Sequence, residues 1–188
     1  GLDAFVEAAR ILQERADILF YLVGDTEEKL KKVVGCDVLP RSIQCIPHRD
    51  IKEIPLWLSA ADARVALGTK KNEYSYFHTS PMKLFEYMAI PGRAIIAAAT
   101  PAIQEIVSGD QVVFYEPDNA CDLANKIKYL FTDDAMMREA VLKSFRACEK
   151  VGVFTWDKRA YAIIEFMKAR LYNYFYENRH HIASLWRR

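Results

Sequence analysis

The sequence lacks the features of a membrane-spanning, secreted or metal-binding protein. Its apolar runs, such as AIIAAA at residues 94–99, are far shorter than the roughly 20 residues that a membrane-spanning helix needs. We find no secretory signal, since the chain opens with an amphipathic segment that carries charges throughout. The four cysteines form no CxxC pair and have no histidine at the spacing of metal ligands. We therefore expect buried, reduced thiols, no bound metal and a cytoplasmic protein.

An excess of charge of one sign is also absent. The 26 Lys and Arg residues nearly balance the 25 Asp and Glu residues, which gives a net charge of +1. Such a chain has no overall field that attracts nucleic acid, so no nucleic-acid partner is expected. The composition, 52% hydrophobic and 27% charged, is that of an ordinary globular domain with one core. The chain does not begin with methionine, and we expect it to be a piece of a longer protein.

Short apolar runs alternate with amphipathic segments along the chain. The runs predict strands at residues 18–24, 42–47, 63–67, 93–99 and 111–117. The amphipathic segments predict helices at residues 2–16, 25–34, 49–62, 80–91, 101–108, 118–133, 134–151 and 155–174. Residues 68–79 read as a polar loop. This alternation predicts an α/β fold, with a Rossmann-like open, mainly parallel sheet, helices on both faces and extra helices at the C-terminus.

The segment TSPMKLFEYMAIPG, residues 79–92, combines a helix start, an apolar face and charged residues. Ser80 is predicted to cap the helix, with Pro81 as its first residue. The apolar face would consist of Met82, Leu84, Phe85, Met88 and Ala89. Lys83 lies in the first turn, where a cation opposes the helix dipole unless an anion binds nearby. Because ligands of open parallel sheets bind where the strands end, the segment predicts a phosphate or nucleotide site.

Glu86 lies one turn after Lys83, and two interpretations of this pair stay open. Its carboxylate could accept hydrogen bonds from two neighbouring hydroxyls of a sugar, while Lys70, Lys71 and Lys83 supply charge for a phosphate. Alternatively, Lys83 and Glu86 pair with each other on a solvated surface, which contributes a few tenths of a kcal/mol.

Several motifs resemble those of one enzyme family in their order and spacing. SPMKLFEYMA with PGRAIIAAATPAIQEIV is the most specific of them. The others are LDAFVEAARILQ, ILFYLVGDTEEKLKKV, IPHRDIKEIPLWLSAADARVAL, VVFYEPDNACDLANKIKYLFTDDAMMREA and FTWDKRAYAIIEFM. Together they resemble the carboxyl-terminal lobe of the family 4 retaining glycosyltransferases, which have the GT-B fold. The likeness covers residues 2–168.

The resemblance implies that residues 1–168 form a nucleotide-sugar-binding lobe whose first strand is missing. It implies a glycosyltransferase of the hexosyltransferase class, acting in polysaccharide biosynthesis. Such an enzyme transfers a sugar from a nucleotide-sugar donor to a glycan or lipid-linked acceptor with retention of configuration. The acceptor would bind to an amino-terminal lobe that this chain lacks, so the chain alone is expected to be inactive. No metal or other cofactor is implied.

The resemblance also implies roles for individual residues, with His78 and Glu86 as the catalytic residues. Glu86 matches the second glutamate of a Glu-x7-Glu motif and would hold the ribose hydroxyls. The first glutamate of that motif is replaced by His78, which can donate a hydrogen bond to a hydroxyl or phosphate but cannot act as a carboxylate. The remaining implied binding residues are the backbone amides of Ser80, Met82 and Lys83 at the pyrophosphate, and Pro47 and His48 near the base.

Residues 169–188 form a tail rich in basic and aromatic residues. The tail could contact the inner membrane surface, or its aromatic residues could pack against the missing lobe, which is the interpretation favoured here. Two other functions stay open: a nucleotide-sugar epimerase of the same fold, and a degenerate, non-catalytic nucleotide-binding module. The sequence does not specify the nucleotide, the sugar, the acceptor, the linkage or the oligomeric state.

Overall fold

The structure is a computed structural model that describes residues 1–177 and divides the chain into two units, Gly1–Glu149 and Lys150–Arg188. The strands of the first unit are β1 (Phe20–Val23), β2 (Ile43–Ile46), β3 (Ala63–Ala66), β4 (Ala94–Ala98) and β5 (Val113–Tyr115). Its helices are α1 (Leu2–Ile11), α2 (Glu27–Val34), α3 (Ile54–Ala60), α4 (Glu73–Phe77), α5 (Met82–Ala89), α6 (Pro101–Gln104), α7 (Ala120–Leu130) and α8 (Asp134–Val151), the last of which extends past the boundary.

All observed strand pairs are parallel, and helices cover both sides of the strands. The predicted α/β fold class is therefore confirmed. The strands are divided between two sheets, one of order β1-β2 and one of order β3-β4-β5, where a single sheet was expected. The apolar pattern of a segment predicts that it is a strand, but pairing depends on contacts between distant segments.

The core of the first unit lies around β4 and between α1 and α7. All five residues of β4 are buried. Ala8 and Ala9 of α1 are completely buried, and α1 packs against α7. Phe5 meets Phe20 of β1 edge to face, with ring centroids 5.4 Å apart. These contacts place α1 against β1, the next strand in the chain, and against α7, the helix that follows β5.

Several elements differ from their predicted bounds. Helix α1 ends at Ile11, and α3 begins at Ile54 with Pro55 in its first turn, where the missing amide of proline is tolerated. The polar stretch before α5 contains α4, which was not predicted. Asn72 caps this helix by accepting a hydrogen bond from the amide of Ser75 at 3.0 Å.

The predicted burial of the thiols is wrong. Cys36, Cys45 and Cys148 are partly exposed, and Cys121 is exposed, while all four are free cysteines. Cys121 lies in the first turn of α7, whose buried residues are Leu123, Ala124, Ile127 and Leu130. A residue two positions before Leu123 points away from that face because the helix turns about 100° per residue.

The second unit contains the end of α8, a short 3₁₀ helix at Gly152–Phe154 and α9 (Trp156–Glu177). The predicted start of α9 is confirmed, and the amide of Lys158 donates to Thr155 Oγ1 at 3.4 Å. The predicted boundary after residue 168 falls inside α9 and stays a prediction. Residues 178–188 of the predicted tail lie outside the described residues. Within residues 1–177, no helix combines the length and apolar character that crossing a bilayer requires.

Candidate functional site

Helix α5 begins one residue later than predicted, at Met82, with Pro81 as the cap. Pro81 has ψ of 86°, which is not helical, and its carbonyl accepts a hydrogen bond from the Leu84 amide at 2.9 Å. No side chain caps the helix, so the predicted capping role of Ser80 is wrong. Ser80 is exposed, at the end of the loop that leads into α5. The first-turn amides of Met82 and Lys83 precede the first hydrogen bond of the helix and are available to a ligand.

The apolar face of α5 is narrower than predicted. Leu84 and Met88 are completely buried, whereas 62% of Met82 is exposed. Met82 lies two positions before Leu84, which is about 200° around the helix, so the two cannot share a face. Met82 therefore places its side chain at the surface.

Lys83 and Glu86 do not pair with each other in the structure. Both residues are exposed, and among the hydrogen bonds and ion pairs described for residues 1–177, none involves either side chain. The interpretation in which the two residues serve each other is thus not supported by their geometry. Glu86 presents a free carboxylate at the surface of α5.

His78 directly follows α4 as its C-terminal cap, four residues before α5 begins. Its amide donates to the Tyr74 carbonyl at 2.9 Å, and its ring lies 6.1 Å from the ring of Tyr74 and 6.2 Å from that of Phe77. The residue is exposed. Its imidazole is therefore held beside two aromatic rings on the loop that leads into α5, and its catalytic role stays a prediction.

Two lysines in the loop after β3, residues 67–72, are already bound to carboxylates. Lys70 Nζ lies 3.0 Å from Glu116 Oε1, and Lys71 binds Asp3. These hydrogen bonds raise the pKa of both lysines. The bond to Lys71 also lowers the pKa of Asp3 to about 2. The expected phosphate charge thus lies at the end of β3, but an arriving anion must compete with these carboxylates.

Asp118 holds the same loop in place from the end of β5. Its Oδ2 accepts hydrogen bonds from Thr69 Oγ1 at 3.0 Å and from the Lys70 amide at 2.8 Å. Its side chain is only 7% exposed, and its Oδ1 lies 3.9 Å from the Gly1 nitrogen. Asp118 has φ of 62°, in the left-handed region that Asp tolerates better than most residues.

The helix predicted for residues 118–133 begins later, at Ala120, so Asp118 lies before it. The cap of α7 is Asn119, whose side chain accepts a hydrogen bond from the Asp122 amide at 3.0 Å. The residue pair Pro117-Asp118 directly after a strand was the available signal, but its partners lie 48 and 49 residues away. Asp118, Asp3 and Glu116 were therefore not predicted to be parts of this region.

Pro47 and His48 follow β2 and are exposed. The neighbouring Arg49 lies over the Trp57 ring, 5.9 Å from its centroid, and Trp57 lies 6.4 Å from the Tyr21 ring. Within residues 1–177, no described hydrogen bond, ion pair or ring contact joins this loop to α5. Its predicted place beside the base stays a prediction.

In the part of the chain that the structure describes, residues 1–177, no group of three or more His, Cys, Asp or Glu side chains is arranged to hold a metal ion. The cations of the region are lysine side chains, and its hydrogen-bond donors include the first amides of α5.

Comparison with known proteins identifies the family. A family model described as glycosyl transferases group 1 matches residues 1–133. None of the curated proteins matches the sequence. Among solved structures, a glycosyltransferase from Rickettsia africae has a TM-score of 0.65 and 21% identity, over 91% of this chain and 44% of that chain.

Two further structures are similar. The C-terminal domain of the glycosyl transferase group 1 protein LpcC from Francisella tularensis has a TM-score of 0.59 and 25% identity, over 81% of this chain and 78% of that chain. Anabaena Alr3699/HepE, solved in complex with UDP and glucose, has a TM-score of 0.61 and 18% identity, over 87% of this chain and 44% of that chain. The chain spans less than half of the Rickettsia and Anabaena proteins.

The fold is that of one lobe of a GT-B glycosyltransferase. The matched family model covers more than half of the sequence. The chain therefore belongs to the group 1 family of glycosyl transferases.

Proposed function

We propose that this chain is the donor-binding lobe of a retaining glycosyltransferase of family 4, and that it binds a nucleotide sugar at the start of α5. The observation that carries the proposal is the free, exposed carboxylate of Glu86, which no cation of the described residues neutralises. A carboxylate in this state is available to accept hydrogen bonds from the two ribose hydroxyls. Membership of the glycosyl transferases group 1 family supports the same assignment.

The diphosphate would lie at the amino-terminal end of α5. The amides of Met82 and Lys83 and the positive end of the helix dipole favour an anion there. During transfer, negative charge accumulates on the leaving diphosphate while positive charge builds at the anomeric carbon, and preorganised donors stabilise the former. We assign this countercharge to helix amides and lysines, without a metal ion.

The lysines of the β3 loop would contribute only after a change of partners. Lys70 and Lys71 must release Glu116 and Asp3 before they can bind a phosphate oxygen. These pairs are exposed, and exposed ion pairs contribute little to stability because water screens them. A doubly charged diphosphate can therefore displace the carboxylates at small cost.

His78 would lie toward the donor sugar and donate a hydrogen bond to a hydroxyl or phosphate oxygen. Pro47 and His48 would border the base. The acceptor, a glycan or a lipid-linked sugar, would bind to a second lobe. We place the enzyme in the cytoplasm, in polysaccharide biosynthesis, where a lipid-linked acceptor would bring it to the inner membrane surface.

The test is calorimetric titration of the 188-residue chain with UDP, GDP and ADP. We expect saturable binding of one nucleotide and a loss of affinity of about 10- to 100-fold in Glu86→Ala, because hydrogen bonds to charged groups contribute about 1.5–3 kcal/mol. Glu105→Ala is the matched control, since Glu105 is also exposed but follows α6. Its affinity should equal that of the unmodified chain.

Equal affinity in Glu86→Ala would refute the assignment of the ribose site. Absence of binding by all three nucleotides would favour a degenerate module, in which the replacement of a glutamate by His78 accompanies loss of function. The anomeric configuration of the product, measured by NMR on the protein with both lobes, separates a retaining transferase from an epimerase, which forms no new glycosidic bond.

A further inference from the structure

A buried arginine lies beneath helix α5 without a carboxylate partner. Arg64 occupies the second position of β3, opposite Ile95 of β4, and is only 3% exposed. Its Nη1 donates to the carbonyls of Tyr87 at 2.8 Å and Ile90 at 2.6 Å. Its Nη2 donates to the Arg93 carbonyl at 3.1 Å. Among residues 1–177, no Asp or Glu forms an ion pair with it.

These three carbonyls belong to the last turn of α5 and the turn that follows it. The last carbonyls of a helix lack partners within the helix and form the negative end of its dipole. Arg64 supplies both the missing donors and a positive charge at that end. Burial removes Arg64 from water and lowers its pKa to about 10, because the charged form loses its hydration. The cation is therefore stabilised mainly by these carbonyls.

Other contacts hold the same turn from different directions. The Gly92 amide donates to Ser144 Oγ of α8 at 3.0 Å, and Arg93 Nε donates to the Ser59 carbonyl of α3 at 2.9 Å. At its opposite end, α5 has no side-chain cap. The helix is therefore anchored at its carboxyl-terminal end by hydrogen bonds, in addition to the packing of the buried side chains of Leu84 and Met88.

We propose that Arg64 is a positioning residue for the candidate site. Its hydrogen bonds to the three carbonyls that follow Glu86 in the chain fix the positions of Glu86 and Lys83. The inference rests on the proposed function of that site. Glu86 directly precedes Tyr87, whose carbonyl Arg64 binds. A slip of α5 by one residue moves each side chain by about 1.5 Å along the axis and about 100° around it. Such a slip would remove the carboxylate from its binding position.

The first measurement is amide hydrogen exchange of the 188-residue chain, which needs no ligand. In Arg64→Met we expect exchange of the α5 amides to accelerate by about tenfold or more, with α7 as the internal reference. Amide exchange reports the local stability of each region, so a loss of protection in α5 alone can be distinguished from one that also affects α7. Arg64→Lys, which keeps a charge and a donor, should recover part of the protection. Unchanged α5 exchange in Arg64→Met would overturn the inference, whether or not any nucleotide binds.

The second measurement is nucleotide affinity in a double-mutant cycle of Arg64→Met and Glu86→Ala. We expect Arg64→Met to weaken binding by about tenfold, since misplacement by 1 Å costs up to about 100-fold. We expect no further loss when Glu86→Ala is already present. Leu30→Ala, at a buried position of α2, is the control for lost stability alone and should leave affinity unchanged.

The outcomes separate the two proposals. A nucleotide site that is sensitive to Glu86→Ala but unaffected by Arg64→Met would refute the positioning role while the proposed function stands. Losses that add fully in the double mutant would also refute it, because Arg64 would then act by another route. Should Arg64→Met fail to fold, the cycle is measured with Arg64→Lys, for which an intermediate loss of affinity is expected and an unchanged affinity contradicts the inference.

Discussion

Gly68 lies in the loop after β3, close to Ala98 of β4, and a methyl group there should be costly. A Cβ at this position would lie 2.9 Å from Ala98 Cβ and 2.9 Å from Thr100 Cγ2. Both distances are shorter than van der Waals contact between carbon atoms. Ala98 is completely buried and Thr100 is 1% exposed, so neither can move toward solvent. Gly68→Ala is therefore expected to shift either the backbone or the buried side chain of Thr100.

The side chain of Thr100 is held in place by a hydrogen bond. It is the cap of α6, and its Oγ1 accepts a hydrogen bond from the Ile103 amide at 3.3 Å. Overpacking a buried site costs about 1–3 kcal/mol, and loss of a threonine cap costs about 1 kcal/mol. We expect Gly68→Ala to lower the free energy of unfolding by about 2–3 kcal/mol. For a chain of this size that corresponds to a Tm lower by about 4–12 °C.

The assay is thermal unfolding followed by circular dichroism, with Gly109→Ala as the matched control. No heavy atom lies within 4 Å of a Cβ built on Gly109, so that substitution should change stability by less than about 0.5 kcal/mol or raise it slightly. The reasoning is refuted when Gly68→Ala and Gly109→Ala unfold at the same temperature.

Two further predictions concern α5 and the β3 loop. Leu84→Ala should lower the free energy of unfolding, measured in urea, by about 2–5 kcal/mol, because the Leu84 side chain is completely buried. Met82→Ala should change it by less than about 0.5 kcal/mol, because Met82 is exposed. Similar losses in the two variants would contradict the assignment of the buried face of α5. Lys71 lowers the pKa of Asp3 to about 2, so the stability from this pair is present above about pH 4 and is lost as the pH falls through 2. Asp3 is 41% exposed, so the contribution stays below about 1 kcal/mol. The free energy of unfolding of Asp3→Asn should therefore be lower than that of the unmodified chain at pH 7 and equal to it near pH 2. A difference in this free energy that does not depend on pH would contradict the prediction.

The order of strands and helices could be predicted because it depends on local patterns. The run ILFYLVG contains β1, and AIIAAA contains β4, whose five residues are all buried. The helix predicted for residues 25–34 is α2, and Thr26 caps it by accepting a hydrogen bond from the Lys29 amide at 3.4 Å. Helix α4 was missed because five residues are too few to show a helical period.

The candidate site was predictable only where its residues are close in sequence. Glu86, Lys83 and the first amides of α5 belong to one short segment. The division of the strands into two sheets, and the pairing of Lys71 with Asp3, depend on residues far apart in the chain.

The sequence by itself determined the α/β alternation, the start of α5 to within one residue and the family resemblance, because periodicity, capping and motif spacing act over a few residues. Only the tertiary structure decided which charges are free and which are paired. Arg64 binds carbonyls 23, 26 and 29 residues away, and Asp118 binds a loop 48 and 49 residues away. A buried charge is stabilised by whichever dipoles the fold brings against it, and those dipoles are backbone groups that every residue carries. For that reason no local pattern distinguishes Arg64, which anchors a helix, from an arginine exposed to water.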